Sequence, residues 1–164
     1  MVGQAHPTTS LRSFFPWLVR FLGRVTLALW LGGFTFYAAF VVPDLHENLG
    51  GMETGEISRR VAPFLYAIGG AALALRWLEA LTDQGQRAGW PGKTRIGLLV
   101  VNSLLLSTLV VMQRSMGTRL DSGGNLTEFR SLHEVYLTVW TVQWLAILGL
   151  MAIDAIGPIA AKDH

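Results

Sequence analysis

Val25–Pro43 reads VTLALWLGGFTFYAAFVVP, nineteen residues without Asp, Glu, Lys, Arg or His. A helix needs about 20 predominantly apolar residues to cross the hydrocarbon core of a bilayer, so this run has the length and character of a transmembrane span. Three more charge-free stretches follow: Val61–Leu75, Ile96–Gln113 and Val135–Ile153. The last two are long enough as they stand. Val61–Leu75 is short, but Arg76 and Glu79 lie three residues apart, can pair on one helix face and can snorkel, which extends the span to about Leu81. The expected fold is therefore all-α. It is a polytopic membrane protein with four transmembrane helices in an up-down-up-down bundle over residues 25–157, with spans at about 25–43, 61–81, 96–113 and 135–153. A polar and interfacial lead-in, residues 1–24, precedes it, and a tail, residues 158–164, follows.

Composition points the same way. Of 164 residues, 51% are apolar and 15% charged, and the mean hydropathy is +0.42. A soluble domain of that character would expose large apolar patches to water. A formal charge of +2 is too small for a nucleic-acid binder, whose footprint is a strongly basic face. The absence of cysteine removes disulfides, thiolate catalysis and cysteine-held zinc or iron–sulfur sites. The first span reads as an uncleaved anchor rather than a signal peptide, because its apolar run exceeds an h-region and no small-x-small cleavage site follows. Within Ser10–Arg24, aromatic residues (Phe14, Phe15, Trp17, Phe21) alternate with Arg12, Arg20 and Arg24, the pattern of an interfacial segment.

Basic residues set the expected orientation. With the N-terminus in the cytoplasm, Arg12, Arg20, Arg24, Arg76, Arg87, Lys93, Arg95 and Lys162 fall inside. Arg59, Arg60, Arg114, Arg119 and Arg130 fall outside, an asymmetry that favours both termini inside. Trp17, Trp77 and Trp90 then form an inner aromatic belt, with Tyr37, Tyr66 and Tyr136 toward the outer ends. The expected location is the bacterial inner membrane.

Helices in lipid associate through close backbone approach and a few polar contacts. Ala28, Gly32, Thr35 and Ala39 form a small-residue face on the first span, and Ala67, Gly70, Ala71 and Ala74 form one on the second. These two faces are expected to meet. Asn102 and Gln143 fall near the midplane of the third and fourth spans, at depths that allow a hydrogen bond between them. The charge-free stretches contain no group for a proton relay or for charged-substrate transport, functions that need ionisable residues inside the bundle.

Four histidines are present. His6 and His164 lie at the termini and read as solvated. His46 and His133 fall on the outer side, each followed by glutamate (Glu47, Glu134), and neither has the second histidine four residues on that a zincin needs. His133, Tyr136, Trp140 and Gln143 share one helix face if a helix capped at Asn125 or Thr127 runs into the last span. Two readings stand side by side. The histidines are hydrogen-bonding groups at a helix–water boundary, or they hold copper, zinc or a haem with Glu47 and Glu134 beside them. The outer connections, Asp44–Arg60 and Arg114–Leu132, are longer than a helix hairpin requires. Asn125-Leu126-Thr127 fits a glycosylation sequon, and Thr82–Arg95 reads as a plain inner linker.

Trp30-Leu31-Gly32-Gly33, followed by aromatic and aliphatic residues and then Val42-Pro43, resembles the first-helix signature of copper resistance protein D-like membrane proteins. Val42-Pro43-x-Leu45, then Val61-Ala62-Pro63-Phe64-Leu65-Tyr66 and Phe129-x-x-Leu132-His133, are similar to a related four-helix integral membrane family of unknown function. The resemblance covers about residues 20–155. It implies a four-helix membrane fold and a link to copper or haem handling. Where those proteins often carry a histidine early in the first helix, this chain has Phe21-Leu22-Gly23-Arg24, so His133 is the residue the resemblance carries over.

The expected function is that of a non-catalytic accessory or structural subunit of a larger membrane complex, such as an electron-transport or photosynthetic assembly. Its partners are then the lipid bilayer and other membrane subunits. The alternative is an outer-face copper, zinc or haem binder using His46 and His133. An enzyme is disfavoured, because no nucleophile–base pair, phosphate loop or paired carboxylates can be read from the chain.

Overall fold

In the computed structural model, which describes residues 11–82, 90–121 and 126–160, every described element is helical. Helix α1 covers Leu11–Phe36, a π-helical turn covers Tyr37–Val41, and α2 covers Val42–Leu49. Helices α3 (Gly51–Thr82), α4 (Trp90–Asp121) and α5 (Leu126–Ala160) complete the chain. Four helical stretches are long and apolar enough to cross a membrane: Phe14–Leu49, Glu53–Thr82, Gly92–Thr118 and Arg130–Ala155. The protein has the build of an integral membrane protein.

The helices overrun the charge-free windows at both ends. Asp44–Arg60, expected as a loop, is helical except at Gly50, and much of Arg114–Leu132 belongs to α4 and α5. A charge ends an apolar window but does not end a helix, because Glu, Lys and Arg are good helix formers. Gly50 divides α2 from α3 with a φ of 85°, the one positive value among the described residues. That left-handed conformation is cheap only for glycine. The Gly50 N–H donates to His46 O at 3.1 Å, and the Thr54 hydroxyl and N–H both donate to Gly50 O, so the break is closed on both sides. The lead-in is no separate segment from Leu11 onward, since α1 runs unbroken through Arg24. Residues 1–10, the central part of the Thr82–Arg95 connection at 83–89, Asn125 of the sequon and residues 161–164 lie outside the described residues.

Two prolines shape the spans. Pro43 follows the π turn, in which the Val42 N–H reaches Tyr37 O rather than a carbonyl four residues back. A proline ring strikes the carbonyl of the fourth preceding residue in an α-helix, and one inserted residue relieves that contact. Pro63 lies inside α3 and cannot donate to Arg59 O. That freed carbonyl accepts from Gln113 Nε2 of α4 at 3.4 Å, the kind of side-chain rescue that makes proline tolerable in a spanning helix.

The long helices pack in chain order, α1 on α3, α3 on α4 and α4 on α5, and α5 closes back on α1. Phe34 of α1 and Trp140 of α5 stack with ring centroids 4.0 Å apart and planes 4° apart, while Trp144 Nε1 donates to Thr35 Oγ1 at 3.0 Å. One apolar cluster holds Leu27, Trp30, Ala72, Leu73, Ala80, Leu99, Ile147 and Leu150. A second holds Ala62, Tyr66, Leu109 and Trp140. Trp30 is fully buried and lies flat over Gly69, where any Cβ would overlap its indole.

Candidate functional site

Hydroxyls in the spans are mostly satisfied by their own helices. Thr26, Thr35, Ser103, Ser107, Thr108, Thr138 and Thr141 each donate to the carbonyl four residues back, a local bond that removes a polar group from lipid. Ser103 Oγ also accepts from Trp77 Nε1 at 3.1 Å. Among the described residues, three buried polar centres each join different helices.

The first centre lies mid-bundle. The structure brings Asn102 and Gln143 together: Gln143 Nε2 donates to Asn102 Oδ1 at 2.9 Å, and Asn102 Nδ2 donates to Leu98 O at 2.8 Å. Both residues are fully buried. Replacing Gln143 with leucine is expected to cost about 1 kcal/mol in unfolding measurements, the usual worth of an interhelical hydrogen bond in a membrane protein. A change below a few tenths of that would assign the pair no stabilising role.

The second centre is aromatic. Tyr66 and Tyr136 share a hydrogen bond of 2.6 Å between their hydroxyls, and both rings pack on Trp140. Tyr37, carried by the π turn, donates to Ser58 Oγ at 2.9 Å. His133 lies against the Tyr136 ring, centroids 6.2 Å apart. Tyr66→Phe is expected to lower stability by about 1 kcal/mol, because it leaves the Tyr136 hydroxyl without this partner in a low-dielectric site. Thermal unfolding of the purified protein in detergent reads the difference.

The third centre is a set of four charges. Arg76 and Glu79 of α3 pair with each other, Arg76 Nη2 also binds Asp154 of α5, and Arg95 of α4 lies between the two carboxylates. Arg95 Nη2 stands 2.9 Å from Glu79 Oε2, and its Nε stands 3.7 Å from Asp154 Oδ1. Neither Arg95 Nε nor Nη2 makes a hydrogen bond, so Arg95 is held by charge more than by directed hydrogen bonds. Exposure is 0% for Arg76, 5% for Glu79 and 8% for Arg95. Arg76 and Glu79 pair, then, but do not snorkel. Their ends turn inward because a second guanidinium and a second carboxylate wait there, and the set is neutral as a whole. Gly23 of α1 makes room beside it, since a Cβ there would approach Arg76 Cδ to 3.2 Å.

The small-residue faces are not brought together. Ala28 and Gly32 of α1 and Ala39 of the π turn face outward, as do Ala67, Ala71 and Ala74 of α3, with Gly70 partly covered. Thr35 is exposed too, but its Oγ1 accepts from Trp144 of α5 rather than facing α3. A Cβ on Gly32 or Gly70 would meet nothing within 4 Å. The α1–α3 contact uses the adjacent stripe instead, Gly23, Trp30 and Gly33 against Leu65, Gly69 and Arg76. One large ring over one glycine gives a close approach with more contact area than two small faces can offer.

His46 and His133 are exposed, as are Glu47 and Glu134. The His46 ring lies beside Gly51, and Glu134 pairs with Arg130 one turn away at 3.6 Å. Among the described residues, no three His, Asp or Glu side chains gather as a metal-sized group. In comparisons with family models, curated proteins and solved structures, nothing matches this chain.

Proposed function

We propose that this chain is a non-catalytic integral membrane protein that serves as an accessory or structural subunit of a larger membrane complex. In this reading it crosses the bacterial inner membrane four times with both termini in the cytoplasm. The observation that carries the proposal is the outward placement of Ala28, Gly32, Ala39, Ala67, Ala71 and Ala74. In lipid such surfaces gain little from acyl chains and much from a neighbouring helix backbone. The Gln143–Asn102 hydrogen bond and the ion pairs among Arg76, Glu79, Arg95 and Asp154 add support, because each runs between helices of this one chain.

The chain has no cysteine, so single cysteines introduced at Gly32 or Ala71 report on one site each. Cross-linking in native membranes is expected to give a discrete heavier adduct from both positions. A cysteine at Leu104, also exposed but on α4, is expected to give none. Elution as a lone protein after gentle extraction, with no adduct from any position, would overturn the proposal. A metal and absorbance scan of the same sample tests the other reading: stoichiometric copper, zinc or haem lost on replacing His46 and His133 together would make this a metal- or haem-binding protein.

A further inference from the structure

The interior of the bundle holds one hydrogen-bond donor and one acceptor that the chain leaves unmatched. Trp77 and Trp144 each place the indole N–H on a hydroxyl of another helix, Ser103 and Thr35 respectively. The Trp30 N–H has no acceptor, although the side chain is fully buried. On α5, Gln143 donates from Nε2 to Asn102, while its carbonyl oxygen Oε1 has no donor. Gln143 and Asn102 are fully buried as well. An unmatched polar atom in such surroundings keeps its whole desolvation penalty, so a complementary pair of them calls for a shared partner.

Two packing relations put the pair in one layer of the bundle. Phe34, one turn after Trp30, stacks on Trp140, one turn before Gln143. In the other direction Trp30 shares a packed cluster with Leu99 and Ile147. Gln143 precedes Ile147 by one turn of α5, and Asn102 follows Leu99 by one turn of α4. Trp30 therefore stands in α1 at the level that Gln143 and Asn102 occupy in the facing helices. On its α3 side the edge of the indole that carries Nε1 lies against Gly69, and a glycine brings no side-chain acceptor.

The indole N–H and the Gln143 carbonyl make no direct hydrogen bond. Whatever joins them must accept from an N–H and donate to a carbonyl, and it must be small, because all three side chains are closed off from the surface. A cation would face the indole N–H, and an anion would face two carbonyl oxygens, so the occupant is neutral. Water meets each condition. Its second hydrogen has a destination too, since Asn102 Oδ1 accepts from Gln143 Nε2 and a carbonyl oxygen has two lone pairs.

We propose that a buried water molecule bridges Trp30, Gln143 and Asn102, accepting from the indole Nε1 and donating to Gln143 Oε1 and Asn102 Oδ1. Three hydrogen bonds are the usual number for an internal water. The Asn102–Gln143 bond joins α4 to α5 alone, and the water extends that polar centre to α1.

Magic-angle-spinning NMR of the full chain in bilayers of deuterated lipid, with isotope-labelled tryptophan, tests the site. The six tryptophans give separate indole signals, and Trp30→Phe identifies the Trp30 signal by its loss. In the wild type, magnetisation from water is expected to reach the Trp30 indole proton despite its burial. Gln143→Leu takes away one of the three partners and is expected to abolish that transfer. An unmoved Trp77 signal, from the indole bonded to Ser103, confirms that the variant keeps its bundle. Absence of transfer to Trp30 in the wild type would overturn the proposal, as would transfer that persists undiminished in Gln143→Leu. Transfer that rises with pH belongs to exchange of the indole proton with bulk water and would overturn it equally.

Discussion

Arg76→Leu is expected to destabilise the bundle by about 3–5 kcal/mol, the usual consequence of stripping one partner from a buried ion pair. The side chain is fully buried and contacts both Glu79 and Asp154. Without it the set holds two carboxylates and one guanidinium, so one negative charge stays unpaired where solvation is poor. The effect belongs to the imbalance rather than to the lost contacts. The double variant Arg76→Leu, Glu79→Leu leaves Arg95 facing Asp154 and is neutral again. It is therefore expected to be more stable than Arg76→Leu alone, since a buried ion pair can be exchanged for apolar side chains at little cost. Unfolding in detergent with increasing denaturant measures both. A double variant as unstable as the single one would show that specific hydrogen bonds, not charge balance, hold this end together.

Gly69→Ala is the second large effect. A single methyl there overlaps the Trp30 ring, and Trp30 is packed on all sides within the main apolar cluster. Over-packing a filled core usually costs about 1–3 kcal/mol, and this site lies at the upper end because the obstacle is a rigid ring rather than a flexible chain end. Helix α1 must move away from α3 or the indole must leave its place. Combining Gly69→Ala with Trp30→Leu removes the collision, and the pair is expected to be less destabilised than the sum of its members by about 1–2 kcal/mol. Additivity would mean that the two residues do not meet. Gly32→Ala, by contrast, places a methyl in open space and is expected to leave the isolated protein's stability unchanged or slightly raised.

The four spans were legible in the sequence because hydrocarbon excludes charge more strictly than it favours any particular side chain. Charge-free windows located Val25–Pro43, Ile96–Gln113 and Val135–Ile153 directly. The same rule hid the charged set. Arg95 stands one residue before its window and Asp154 one residue after, so each read as a boundary marker in the headgroup layer. Only the packing of α3, α4 and α5 shows that these boundary residues point at one another. Helix rotation was illegible for a related reason. Small residues occupy two adjacent stripes of α1, and only the size of Trp30 decides which stripe turns toward α3. The polar outer connections read as loops because their helices continue on local propensity, with no apolar periodicity to reveal them.

The charged set also bears on how the chain enters the membrane. Helix α3 carries an arginine and a glutamate that neutralise each other one turn apart, so it can pass into lipid as a self-contained unit. Helices α4 and α5 have no such internal remedy: Arg95 and Asp154 each arrive alone, and a single charged residue raises the free energy of inserting a helix by up to ~3 kcal/mol when it lies deep. Each charge finds its counterpart only beside a neighbouring helix. During synthesis α3 and α4 emerge first, and two guanidinium groups then share the single carboxylate of Glu79. The arrival of α5 supplies the missing one. Insertion of the last helix is thereby coupled to assembly of the three, and a chain that stalls before α5 holds an uncompensated positive charge, a mark by which an unfinished bundle differs from a finished one.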